Sequence, residues 1–99
     1  MTISVTGPIG VGALTAVPSA TTNGTALGTM PSNASGARIY LPVGASLTFT
    51  IAATAPASAP SSTFTVAQTN VGSYWDEPLS NSEMIYVTAS SGSPLFRWV

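Results

Sequence analysis

Apolar and polar residues alternate most regularly in the middle of the chain. Every second residue from Leu47 to Ala53 is apolar, and the residues between them are threonine or alanine. The same period of two recurs around Phe64 and Val66, which share one face. This period is typical of β-strands with one buried face, and the prolines between the two runs prevent a single continuous strand. The stretch 38–68 therefore predicts a β-hairpin with a long loop, around which the rest of the chain packs.

Three further strands are predicted besides the two alternating runs. They cover Arg38–Leu41, Glu83–Ala89 and Leu95–Val99. Proline, glycine and serine separate these runs at the short spacing that is typical of sandwiches and barrels. Residues 74–81 combine aromatic and polar side chains without regular alternation, and we expect a loop there.

The first third of the chain is interrupted by proline and glycine, which makes a helix improbable. Apolar runs at Ile3–Val5, Val11–Val17 and Thr25–Met30 are compatible with an extended arm that lies across a neighbouring molecule, or with irregular edge strands of the same domain. The fold class predicted is all-β. We expect a small antiparallel β-sandwich or jelly-roll-like domain at 37–99, preceded by an extended N-terminal arm or edge strands at 1–36.

Charged residues are rare in this chain. The length of 99 residues is that of one domain, yet it contains only two arginines and three carboxylates, with a net charge of −1. Without a basic patch, binding to nucleic acid is not expected. Uncharged strands associate readily at their edges, so the composition favours a protein that assembles with other chains. The alternative is a monomer kept in solution by its serine and threonine hydroxyls.

The N-terminal residues carry no sign of a membrane segment. They lack positive charge and a long apolar run, and Gly7, Pro8 and Gly10 interrupt them. We therefore expect neither a secretion signal nor a membrane-spanning helix, and no membrane partner.

Groups that support catalysis or metal binding are also scarce. The sequence has no cysteine, histidine or lysine, which excludes disulfides, thiolate chemistry and the common zinc sites. Asp76 and Glu77 would point to opposite faces of a strand, which does not suit the facing carboxylates of a glycosidase. A calcium site at Asp76, Glu77 and Asn81 would lack the spacing of a calcium loop. We predict that the protein is not an enzyme and holds no cofactor or metal.

The candidate interface residues are apolar or aromatic side chains near the two ends of the chain, together with one arginine. Aromatic rings at these positions suit the domain core, a protein interface or a sugar-binding site, and the sequence leaves all three open. Arg97 stands between two aromatic residues, as is common in interfaces; its alternative role is that of an edge-strand charge that prevents incorrect pairing. The full set is Ile3, Val5, Val11, Leu14, Val17, Tyr74, Trp75, Phe96, Arg97 and Trp98.

The chain as a whole resembles the small cement or head-decoration proteins of short-tailed bacteriophages. The resemblance lies in the Gly/Pro/Thr-rich leading segment, the segment GARIYLPVGASLTFTIA at 36–52 and the ending SPLFRWV at 93–99. It implies a subunit made in the host cytoplasm and carried on the outer capsid surface. Its partners would be the major capsid protein and copies of itself, as a dimer or trimer, and with no lysine available the binding would be non-covalent.

A second hypothesis comes from a different class of protein. A receptor- or glycan-binding module of a head fibre or adhesin would use Tyr74, Trp75 and Trp98 to stack against sugar rings. Exposure of these rings discriminates this hypothesis from the first.

Overall fold

The computed structural model describes residues 12–68 and 72–99, and residues 1–11 and 69–71 lie outside the described part. The described residues form strands and no helix. The strands are β1 Thr15–Ala16, β2 Thr25–Ala26, β3 Gly36–Leu41, β4 Ser46–Ala52, β5 Phe64–Ala67, β6 Ser73–Pro78, β7 Met84–Ser91 and β8 Leu95–Trp98.

The strands form two antiparallel sheets with an interleaved order. Sheet A has the order β1-β8-β3-β6, and sheet B has the order β2-β7-β4-β5. The pairs β4–β5, β3–β6, β2–β7 and β1–β8 are nested around the central hairpin, and successive pairs fall in alternate sheets. A long two-stranded ribbon folded in this way is a jelly roll. The prediction of an all-β sandwich or jelly-roll-like domain is confirmed.

The core lies between the two sheets and follows the predicted alternation. Phe49, Leu47, Ile39, Ile85 and Val87 are fully buried, and the polar positions between them face outward. Burying apolar side chains of this size typically contributes about 1.5–3 kcal/mol each, which offsets the entropy lost by ordering the strands. The core thus holds the two sheets together without any buried charged residue in the described part of the chain.

The N-terminal third contributes to this domain as edge strands. β1 pairs with β8 at the edge of sheet A, and β2 pairs with β7 at the edge of sheet B. Leu27 and Ala34 join the core. Over residues 12–36 the chain therefore takes the edge-strand alternative, whereas the predicted runs Ile3–Val5 and the start of Val11–Val17 lie outside the described residues.

The prediction of a loop at 74–81 is wrong for residues 74–78. Residues 73–78 form β6, the edge strand of sheet A beside β3. All but one of its residues are exposed. With little of the strand buried, no apolar face is required, and its sequence shows no period of two. Leu79 and the turn that follows it do leave the sheet, and Leu79 returns to the core.

Gly36 permits β3 and β6 to lie close together where their pairing begins. A Cβ atom at Gly36 would collide with the backbone carbonyl oxygen of Glu77 and would come within 2.9 Å of the Cα atom of Pro78. Both obstacles are backbone atoms, which move only if the strands separate. This glycine is therefore required by the approach of the two backbones.

We expect Gly36→Ala to lower the free energy of unfolding by about 1–3 kcal/mol, because the strands must shift to admit the methyl group. Gly72→Ala at the other end of β6 is the matched control, since its Cβ atom would meet no atom closer than 3.5 Å. Urea denaturation of both variants measures the effect. Equal stability of the two variants would contradict the role given to Gly36.

Candidate interaction face

The outer surface of sheet A gathers the polar and aromatic side chains that the sequence scatters. Arg38 of β3 is in register with Asp76 of β6 and with Arg97 of β8. Tyr40 is in register with Tyr74 of β6 and with Leu95 of β8. Residues paired in this way point to the same side of a sheet. We call the surface formed by Arg38, Tyr40, Tyr74, Asp76, Leu95 and Arg97 the Tyr–Arg face.

A bidentate ion pair joins β3 to β6 on this face. The Nε and Nη2 atoms of Arg38 donate to the two carboxylate oxygens of Asp76 at 2.6 and 2.9 Å. The guanidinium carbon also lies 4.4 Å from the centre of the Tyr74 ring, within the range of a cation–π contact. The hydrogen bonds from Arg38 lower the pKa of Asp76 and raise that of Arg38. The contacts with Asp76 and Tyr74 of β6 hold the Arg38 guanidinium in place.

Tyr40 and Tyr74 lie beside this ion pair on the Tyr–Arg face. Their ring centres are 6.2 Å apart with the planes tilted by 49°, a favourable arrangement for two aromatic rings. Tyr74 remains 56% exposed. A ring that is held by Arg38 and Tyr40 and still exposed loses little side-chain freedom when it binds a partner.

Arg97 has a different environment from Arg38. Its Nε atom is buried, and it has no hydrogen-bond partner among residues 12–68 and 72–99. Across the strand it faces Arg38, which already binds Asp76. The face contains both arginines of the chain and one of its three carboxylates, so its formal charge is +1, while the whole chain carries −1.

A second exposed surface lies at the side of the sandwich where β5 and β6 form the edges of their sheets. Trp75 of β6 is 47% exposed, and its indole N–H donates to Glu77 at 3.0 Å. Phe64 of β5 is 57% exposed, with its ring 5.8 Å from that of the buried Phe49. Between the strands runs a groove of about 240 Å³ that is lined by Leu41, Thr65, Val66, Ala67, Gln68, Tyr74 and Trp75. We call this surface the β5–β6 edge.

The structure separates the candidate residues into three groups. Tyr74 and Arg97 lie on the Tyr–Arg face, and Tyr74 also borders the groove of the β5–β6 edge, where Trp75 lies. Leu14 is exposed just before β1. The side chains of Phe96 and Trp98 are in the core, and Val17 packs against it. Ile3, Val5 and Val11 lie outside the described residues.

Phe96 and Trp98, two of the interface candidates, are buried in the core, which is one of the alternatives that the sequence leaves open. Both belong to β8, which has strands on either side of it, and their rings meet edge to face at 5.5 Å. Tyr74 and Trp75 are neighbours in β6 and point to opposite faces. The three rings predicted for sugar stacking, Tyr74, Trp75 and Trp98, are therefore not brought together.

Several residues of these surfaces, among them Tyr40, Phe64 and Arg38, are not interface candidates in the sequence. Tyr40 and Phe64 belong to strands that alternate clearly, so the sequence shows which residues share their faces but not which strand is adjacent. Arg38 lies in a predicted strand, and the sequence alone does not show that Asp76 is its partner. The sequence signal for this ion pair is that charged residues are rare, so each arginine has few possible partners.

The described residues contain no cluster of three or more acidic side chains that could hold a metal ion, and no helix long and apolar enough to cross a membrane. Comparison with protein families, curated protein sequences and solved structures finds no match to this chain.

The lowered pKa of Asp76 predicts how the Arg38–Asp76 pair responds to acid. The pair stabilises the fold above the unfolded-state pKa, about 3.9, and this contribution is lost as the pH falls through the lower value in the folded state. We expect the melting temperature of the wild type to exceed that of Asp76→Asn at pH 7, and the gap to close below about pH 4.

Thermal unfolding from pH 7 to pH 2 measures this gap, with Arg38→Gln and the double variant completing the cycle. The coupling between the two residues should disappear over the same acidic range. A coupling that stays constant across the whole range would contradict the assignment.

Proposed function

We propose that the protein is a non-enzymatic structural subunit that attaches to a virus particle as a capsid cement or decoration protein. The Tyr–Arg face is the observation that carries this proposal. It combines tyrosine, arginine and leucine on one side of a sheet, which are residues that contribute strongly to protein interfaces or pack well within them. In this proposal the face lies against the major capsid protein, and the subunit resides on the outer capsid surface.

Arg97 suggests what the partner must offer. Arg97 is in register with Arg38 on the same face, and its buried Nε atom has no acceptor within the described residues. A guanidinium in this position pairs best with a carboxylate, which would also balance the charge of +1 on the face. We therefore expect an acidic side chain on the capsid surface opposite Arg97, with apolar contacts around Tyr74 and Leu95.

Two general properties of the molecule support this proposal. A molecule with few charges makes only weak electrostatic contacts with a particle. Weak contacts are sufficient when many copies bind to the same particle, because their contributions add up. Jelly rolls occur in viral capsid and lectin domains, so the fold is compatible with the virion and with the glycan hypothesis alike. The glycan hypothesis lacks its three-ring platform, and we favour the virion hypothesis.

Charge reversal at Arg97 tests the proposed contact. Arg97→Glu should weaken attachment to capsids of the encoding virus by about tenfold or more, because it places like charges opposite each other. Ala89→Glu adds the same carboxylate on the outer surface of sheet B, where Ala89 is exposed and pairs with Thr48, and should bind as the wild type does. Co-sedimentation with purified capsids measures occupancy.

Tyr74→Ala and Phe64→Ala form a second matched pair, since both rings are more than half exposed but on different surfaces. We expect only Tyr74→Ala to reduce capsid occupancy, because only Tyr74 belongs to the Tyr–Arg face. Failure of the wild type to co-sediment, or a coding region far from any capsid or portal gene, would contradict the virion hypothesis. Equal occupancy of all variants would contradict the role of the face.

A further inference from the structure

β6 is the longest of the four strands that lie at the edges of the two sheets. β1 and β2 have two residues each and β5 has four, whereas β6 has six. A very short edge strand offers few backbone groups to another molecule, which protects that edge from pairing. β6 is therefore the edge of this domain that is best able to accept a further strand.

Alternate backbone groups of β6 point away from its neighbour β3. The N–H of Leu79 donates to the carbonyl of Ser35 at 2.9 Å, in register with the β3–β6 pairing. Hydrogen-bonded residues alternate along an antiparallel pair, so the backbone groups of the odd-numbered residues in β6 point toward β3. Those of Tyr74 and Asp76 point toward the open edge, where they can pair with another strand.

Trp75 is an inward-facing side chain of β6 that lacks a covering strand. It is in register with Ile39, which is fully buried, so both side chains point toward the layer between the two sheets. Trp75 nevertheless remains 47% exposed, because β6 is the last strand of sheet A. A strand beyond β6 would cover this ring and remove its apolar surface from water.

The sequence of β6 suits pairing with β6 of a second copy. Two identical strands can pair antiparallel about a two-fold axis, so that each residue meets its mirror position in the other copy. With the axis at Trp75, the outward backbone groups of Tyr74 meet those of Asp76 of the second copy. Ser73 then lies opposite Glu77 of the second copy, and the two Trp75 rings lie beside each other.

Overlap and charge favour this register over its neighbours. An axis at Tyr74 would pair only three residues of β6 with β6 of the second copy, whereas an axis at Trp75 pairs five. An axis at Asp76 would also pair five, but it would place two carboxylates directly opposite each other, which is destabilising. With the axis at Trp75, each Asp76 lies opposite an uncharged tyrosine and keeps its ion pair with Arg38.

We propose that the protein forms a two-fold dimer in which the β6 strands of two copies pair antiparallel about Trp75. Sheet A then continues across the axis as one sheet of eight strands, with the Tyr–Arg faces of both copies on the same side of it. The contact uses the same strand of both copies, so it closes as a dimer and does not extend into a fibre. The dimer goes beyond the proposed capsid contact and does not depend on it.

Analytical ultracentrifugation of the full chain tests the position of the axis. Trp75→Lys should weaken dimerisation by about tenfold or more, because it removes the buried rings and places two positive charges opposite each other. Leu14→Lys is the matched control, since Leu14 is 50% exposed just before β1, at the opposite edge of sheet A. It should dimerise as the wild type does. A monomeric wild type, or equal weakening by the two variants, would overturn the proposal.

Cysteine cross-linking tests the register and leaves Trp75 in place. The chain has no cysteine, so the only thiols are those introduced. In the proposed pairing, Ser73 of one copy and Glu77 of the other form a non-hydrogen-bonded pair with Cα atoms about 4.5 Å apart, a distance that a disulfide can span. Under mild oxidation, an equimolar mixture of Ser73→Cys and Glu77→Cys should therefore form a covalent dimer that contains one chain of each variant.

Each cysteine variant alone is the control for this experiment. Its two thiols would be four residues apart along the paired strands, more than about 13 Å, so it should yield at least about tenfold less covalent dimer than the mixture. Mass spectrometry identifies the chains in the product. No covalent dimer in the mixture, or equal yields from the mixture and the single variants, would overturn the proposal. Neither experiment contains capsids, so failure of the dimer is distinguished from failure of the proposed function, which co-sedimentation measures.

Discussion

The nested antiparallel pairing of the ribbon is the constraint on which the rest of this molecule depends. The β4–β5 hairpin lies at its centre, and each outer pair extends the same ribbon into the other sheet. The Tyr–Arg face exists only because β3 is in register with both β6 and β8. A slip of one residue between β3 and β6 would separate Arg38 from Asp76, and a slip between β3 and β8 would turn Arg97 and Leu95 to the opposite face.

The parts of the fold that were predictable are those in which burial imposes a pattern. Alternation around Leu47 and Phe49 is clear because those side chains face the core while the threonines between them face outward. β6 was not predicted because it is an edge strand with little burial. The two tryptophans show the same limit: Trp98 is buried because β8 lies inside its sheet, whereas Trp75 is exposed because β6 lies at an edge. Strand order is a property of distant pairings and leaves no local signal.

The Tyr–Arg face has an unusual distribution of charge. Both arginines lie side by side on one face, and the Asp76 carboxylate neutralises only Arg38. With so few charges the molecule has almost no long-range field, so encounters with a partner are not steered electrostatically. In the interface proposed above, specificity would therefore come from contact geometry, to which the Arg38 guanidinium held by Asp76 and the exposed ring of Tyr74 would contribute.

The pairing of β1 with β8 also determines how the molecule responds to mechanical force. β1 contains only Thr15 and Ala16, and it pairs with the last strand in an antiparallel sense. Tension applied at the N-terminal end of β1 and the C-terminal end of β8 would act on neighbouring points and peel the pair apart one bond at a time. The core strands β3, β4 and β7 resist separation together, because each is paired on both sides. We therefore expect the β1–β8 pair to separate under tension before the strands at the centre of the two sheets.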